Sequence, residues 1–244
     1  MSSLVTLTRR ELGAVFLSPA SYVILGLFLF VFAYFFRLSI HAMQGDISQS
    51  YRFFSGVVYF QILLCVIPPL LTMRSVSVER QSGTLEMLLT APVTDRDVVL
   101  SKFVGALVFY AILWIPTLAI PIALFQFGAS PDFGQVGAFL VGLLGLGGFF
   151  VAVGIFTSSL TSNLLAAFFT ALVLDVFFFF GIPGLSWISE SDAVRDSLAT
   201  FSVPGQLDEF ARGIVDARYL VFYATGAFFF LFLAVKVLES RRWR

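Results

Sequence analysis

Residues 72–127 read TMRSVSVERQSGTLEMLLTAPVTDRDVVLSKFVGALVFYAILWIPTLAIPIALFQF. The first part, through Lys102, is charged and punctuated by Gly83 and Pro92; the second, 103–127, holds no charged residue. A run of that length reaches the roughly 20 residues that a helix needs to cross about 30 Å of hydrocarbon. Five further apolar runs lie near 20–36, 54–73, 136–156, 164–183 and 219–238. They are continuous rather than alternating, against a barrel of strands about ten residues long. Lipid offers backbone groups no partners, so helices remain. The expected fold is all-α: a polytopic membrane protein with six transmembrane helices in a single domain spanning 1–244.

Composition excludes most other classes. The chain is 59% hydrophobic and 12% charged, with 31 phenylalanines; soluble domains carry about twice that charged fraction. One soluble core could not hide so much apolar surface. The zero net charge provides no basic footprint for nucleic acid. Cys65 is the single cysteine and His41 the single histidine, so neither a disulfide nor a thiolate metal site is expected. HExxH is absent, and His41 falls at the outer interface. No catalytic, cofactor-binding or metal-binding residue is expected. The first run starts about 20 residues in with no small-residue cleavage site after it, as a retained span does.

Lysine and arginine set the orientation. With six spans both termini share a side, together with Arg9, Arg10, Arg74, Arg80, Arg96, Lys102, Lys236, Arg241, Arg242 and Arg244. The other side holds Arg37, Arg52, Arg195, Arg212 and Arg218. The positive-inside rule therefore predicts cytoplasmic termini and a cytoplasmic 74–102 segment.

Residues 1–18 form an amphipathic lead-in. Leu4, Val5, Leu7, Leu12, Val15 and Phe16 share one broad face, with Arg9, Arg10 and Gly13 opposite; Glu11 interrupts the apolar side. Such a helix lies in the interface with its arginines near headgroups, and Ser18-Pro19 turns the chain into the first span. Anchoring is one reading; contact with an ATPase or with the second span is the sharper one. Pro68-Pro69, Pro116 and Pro121 kink spans or hinge them. Gly142, Gly145, Gly147, Gly148 and Gly154 predict a tightly packed, internal fourth span. Asp175 stands alone in the fifth span, a costly position. It serves a structural hydrogen bond, the pathway or a subunit interface, or it is hydrated near the outer headgroups. The extracytoplasmic segment 184–218 is acidic; its Pro204-Gly205 turn precedes Leu207, Phe210 and Ile214, and two short outer-rim helices fit it.

Within 79–92, Gly83-Thr84 can start a short helix, Thr84 supplying the capping oxygen. Leu85, Leu88 and Leu89 fall on one face, Glu86 and Thr90 on the other, and Ala91-Pro92 stops it. Thr94 or Asp95 begins the next helix. Three leucines on so short an exposed helix need a protein surface that this chain cannot supply.

Glu79-Arg80-x-x-Gly83-Thr84-Leu85-Glu86-x-Leu88-Leu89-x-x-Pro92, with Lys102 heading the next span, resembles the coupling segment of type-2 ABC transporter permeases. Arg10-Glu11-Leu12 with Phe16, Ser18-Pro19 and Tyr22 is similar to that family's amphipathic start. Phe210-Ala211-Arg212-Gly213-Ile214-Val215-Asp216-x-Arg218 and the ending Arg241-Arg242-Trp243 resemble the permease of the gliding-motility-associated branch. The resemblance implies a permease half in a bacterial cytoplasmic (inner) membrane. Its implied partners are a second half, identical or different, and cytoplasmic ATP-binding subunits. It also implies export, with Glu79, Arg80, Gly83, Thr84, Leu85, Glu86, Leu88, Leu89 and Pro92 coupling to the ATPase. The chain has no GxxxxGK[ST] loop, so ATP and its magnesium belong to the partner. Two other classes compete. A non-transporting anchor of a motility or envelope complex would use the same coupling helix. An intramembrane lipid enzyme would need more than Asp175 and His41.

Overall fold

The computed structural model describes residues 3–83, 94–188 and 201–241. Among these there is no β-strand, and six helices are long and apolar enough to cross a membrane. They are Pro19–Ala42, Val58–Gln81, Asp95–Gln126, Phe133–Leu160, Leu164–Leu185 and Ala217–Ser240. The all-α, six-span architecture expected from the sequence is the one observed. Six crossings place both ends of the chain on one face, hereafter the terminal face.

Boundaries depart from the apolar runs in ways that polar residues explain. The third span starts at Asp95, eight residues before its apolar run, because Thr94 caps it by accepting from Asp97 N (3.2 Å). Asp95 and Asp97 then lie in the first turn, where the helix dipole favours acids. The run 54–73 is divided, which corrects the expected second span. Its first residues belong to a short helix, Ile47–Gly56, capped by Asp46 on Gln49 N (3.0 Å) and ended at the extended Val57. That helix buries Ile47, Ser50, Tyr51 and Phe54 on one face.

Proline acts unequally. Pro68 and Pro69 sit inside the continuous helix Val58–Thr72. Pro116 breaks the third span into a 3-10 turn, and Ile115 N takes the Ile112 carbonyl that Pro116 cannot reach (3.2 Å). In the outer segment, Pro204 and Gly205 do not form a turn before a helix. They lie inside the first turn of Val203–Ala211, capped by Ser202, where proline's missing N–H costs nothing. Gly213, at φ +87°, closes that helix: Gly213 N donates to Phe210 O and Ile214 N to Glu209 O, both at 3.0 Å. Of the two outer-rim helices expected, this one is described; residues 189–200 lie outside the described set.

The fourth span is the axis of the bundle. In its central window 72% of residues are buried, against 22% in the first, fifth and sixth spans. Its glycines make this possible, as the sequence suggested. A Cβ on Gly147 would stand 2.0 Å from the Tyr110 ring, and one on Gly154 would stand 2.0 Å from Thr72 Oγ1. Gly142 admits the Phe210 ring in the same way. At the head of this span Gln135 donates to Ser48 O (2.9 Å) and to Ala211 O, fastening both short rim helices to the axis. Phe32, Phe54, Phe60 and Trp114 interlock beside it, with Phe54 and Phe60 centroids 4.1 Å apart. Many phenylalanines are therefore core residues, and others such as Phe30 and Phe228 face outward.

Packing of this kind predicts a sharp contrast between glycines. Gly147→Ala should lower the melting temperature of the detergent-solubilised protein, at a cost of roughly 1–3 kcal/mol from overpacking against a buried ring. Gly26→Ala, with nothing within 4 Å, should leave it unchanged or slightly raised. Equal melting of the two variants would contradict the central placement of the fourth span.

Candidate functional site

On the terminal face four charged side chains from three elements meet. The lead helix, Ser3–Phe16, lies across the third span. Its Phe16 ring sits 5.6 Å from Phe109, and Glu11 Cβ is 3.1 Å from where a Cβ on Gly105 would stand. That approach carries Glu11 to Lys102, whose Nζ is 3.1 Å from Glu11 Oε1 and 2.9 Å from Glu79 Oε2. The other Glu79 oxygen accepts from Arg10 Nη2 at 3.1 Å. Lys102 is 1% exposed, while Glu79 and Glu11 are 16% and 18% exposed. A buried ammonium is tolerable here because two carboxylates share it. Two cations and two anions leave the cluster with no net charge.

Next to Glu79, Arg80 turns toward the fourth span and donates from Nη1 to Leu160 O at 2.8 Å. Leu160 ends that span, so the guanidinium satisfies a carbonyl left without a helical partner. A second tie lies one turn earlier, where residues 73–76 leave the regular helix. Val76 N and Ser77 N both donate to Ser158 Oγ at 3.1 Å, and Ser158 Oγ donates to Met73 O at 3.3 Å. The short helix Ser77–Gln81 is thus held by the lead helix, the third span and the fourth span at once.

Gly83 follows at φ +73°, its N–H donating to Arg80 O at 3.3 Å. It closes the helix before it; the helix that Gly83-Thr84 is expected to start lies outside the described residues. Thr84, Leu85, Glu86, Leu88, Leu89 and Pro92 lie outside the described residues. The described ends of that segment, Gly83 and the Thr94 cap, both belong to elements fixed at the charged junction.

The structure therefore brings Arg10 and Glu11 together with Glu79, and Arg80 beside them. The lead helix packs on the third span; its link to the second span is the Arg10–Glu79 ion pair. Lys102 and Ser158 were missed as site residues. Lys102 had one signal, its place as the last charge before the charge-free run 103–127; Ser158 had none. Asp175 stands apart, fully buried in the fifth span, and neither carboxylate oxygen meets a hydrogen-bond donor among the described residues. No described residue supplies the expected structural hydrogen bond, and the side chain is fully enclosed by its neighbours. Its electrostatic neighbours are Cys65 and Tyr110. Two residues later the span passes into a π-helical turn, Phe177–Gly181.

Among the described residues no group of three His, Cys, Asp or Glu side chains could hold a metal. At the opposite face Arg218 pairs with Asp216 and Arg212 with Asp208. The Arg218 guanidinium holds the Asp216 carboxyl below the usual carboxylate range, but such exposed pairs contribute little. The model for the family described as "ABC-2 family transporter protein" matches residues 21–209. No curated protein matches the chain.

Lys102→Met should destabilise the purified protein by about 3–5 kcal/mol, because Glu11 and Glu79 would be left facing each other without their shared cation. The triple variant Lys102→Met, Glu11→Gln, Glu79→Gln should recover most of that loss in thermal unfolding. A single variant that melts like wild type would show that the junction is not formed.

Proposed function

The chain belongs to the ABC-2 family of transporter proteins, a membrane subunit of an ABC transporter, and we propose that its charged junction transmits the work of a separate ATPase. In this reading the segment from Glu79 to Pro92 docks on a cytoplasmic ATP-binding subunit through Leu85, Leu88 and Leu89. Glu79 and Arg80 pass the displacement to the lead helix and to the third and fourth spans. The observation that carries it is the fastening of Ser77–Gln81 to all three of those elements by ion pairs and hydrogen bonds.

Coupling of this kind needs two linked sites. ATP binding favours one membrane conformation only through contacts that differ between the two states, typically by 1–3 kcal/mol. A segment held rigidly at both ends converts such a difference into movement of the spans. The chain itself carries no phosphate loop, so ATP and magnesium sit on the partner. A second permease half, identical or different, completes the pathway, and both termini face the cytoplasm of a bacterial inner membrane. Export is the proposed direction, and the gliding-motility-associated branch is the proposed subfamily. Asp175 is the candidate for a pathway or interface group, next to a π-helical turn of the kind frequent at functional sites. The intramembrane enzyme has no observation in its favour: among the described residues no hydrogen-bond donor meets Asp175.

The test reconstitutes the chain with its ATP-binding subunit in vesicles. Gly83→Pro demands a φ near −65° where the backbone stands at +73°, and Leu88→Asp places a charge on the docking face. Both should insert normally and yet lose at least about tenfold in ATP-driven transport, the scale of a 1–3 kcal/mol coupling. Normal transport by both variants would remove the lever. Normal ATPase coupling without any vectorial movement in wild type would favour the non-transporting anchor.

A further inference from the structure

Beside the junction lies a cavity of about 350 Å³, within the range of ligand sites. It is bounded by the lead helix, the start of the first span, the end of the second span and the third span. Val15, Ile24, Leu70, Leu71 and Phe109 make its apolar wall. Arg10 and Arg74 are at its polar end. The neighbouring lipid-facing surface of the first span is apolar and exposed, with Tyr22, Val23 and Leu27 each at least 60% exposed.

Charge separates the possible occupants. Arg10, Glu11, Glu79 and Lys102 cancel within the junction. Arg74 is exposed and makes no ion pair or hydrogen bond with any other described residue. The lining therefore carries one uncompensated positive charge above an apolar wall, at the level where an amphipathic helix lies in the interface. We propose that this cavity binds one anionic phospholipid from the leaflet on the terminal face. One acyl chain lies along Ile24, Leu70, Leu71 and Phe109, and the phosphate meets Arg74 with Arg10 beside it. A soluble anion would leave the apolar wall unused, and a zwitterionic lipid would gain less from Arg74. The site stands independently of the transport reading, because it rests on shape and charge alone. It places a lipid headgroup within the same four-sided corner as Glu79, so the lipid composition of that leaflet bears on the junction.

Native mass spectrometry of the delipidated protein tests this with dioleoyl-phosphatidylglycerol, dioleoyl-phosphatidylcholine and glycerol-1-phosphate. Wild type should retain one phosphatidylglycerol, bound about tenfold more tightly than phosphatidylcholine, the scale of one charge-assisted contact. Arg74→Gln should abolish that preference while still binding phosphatidylcholine. Ala14→Trp, which fills the cavity from the exposed side of the lead helix, should lose both lipids. A phosphatidylglycerol carrying a diazirine in its acyl chain should crosslink wild type at the lead helix and at Leu70-Leu71, a readout that does not depend on any variant folding. Equal binding of the two lipids, lipid retention by Ala14→Trp, displacement by glycerol-1-phosphate at matched concentration, or crosslinks confined to outward faces would each overturn the site.

Discussion

A lysine ammonium buried on the terminal face is the constraint around which this side of the molecule is arranged. Lys102 is almost without solvent, yet it lies in a helix that must enter lipid. Such a group persists only if opposite charge is brought to it, and no residue adjacent in sequence supplies that charge. The carboxylates come from Glu11, 91 residues away, and from Glu79 across the segment that ends in Thr94. Satisfying one cation thereby fixes the lead helix against the third span and the end of the second span against both. Gly105 is part of the same solution, since a Cβ there would stand 3.1 Å from Glu11 Cβ and press on the lead helix.

The fourth span answers a different constraint. Lipid supplies no hydrophobic drive between helices, so close contact must come from shape and from a few polar ties. Glycine at 142, 147 and 154 supplies the shape by letting Phe210, Tyr110 and Thr72 sit directly on the backbone. Gln135 at one end, and Ser158 with the Leu160 carbonyl at the other, supply the ties. The axis is thus anchored to the rim helices on one face and to the charged junction on the other. The junction and the fourth span are therefore tied to each other by direct hydrogen bonds.

What could be read from the sequence follows from the range of each force. The spans were legible because lipid imposes a length and an apolar character on each one separately. The buried position of the fourth span was legible because its glycines have no other use at that density. The helix Ile47–Gly56 was not, because Phe53 and Phe54 join seamlessly to the apolar run behind them; Asp46 as a cap and Gly56 as a break were its only local marks. Glu11 interrupted an apolar face with no visible partner, because that partner is distant in sequence. Gly83 also closes the helix before it, a role that its positive φ suits and that the sequence left unmarked. At Asp175 the sequence showed the cost of burial and could not show that none of the described residues would bring it a donor.

Neutrality gives the junction its mechanical character. Moving one elementary charge through a membrane potential involves about 2.3 kcal/mol per 100 mV, comparable to the whole coupling energy between two linked sites. A lone Lys102 carried along the membrane normal would add such a load to every stroke. Paired with Glu11 and with Glu79, which also holds Arg10, it belongs to a group whose charges sum to zero, and displacement of the group as a body does no net electrical work. The same pairing makes the group stiff, because separating any member exposes an unpaired charge. Such a group is electrically silent as a whole at a corner that three elements share.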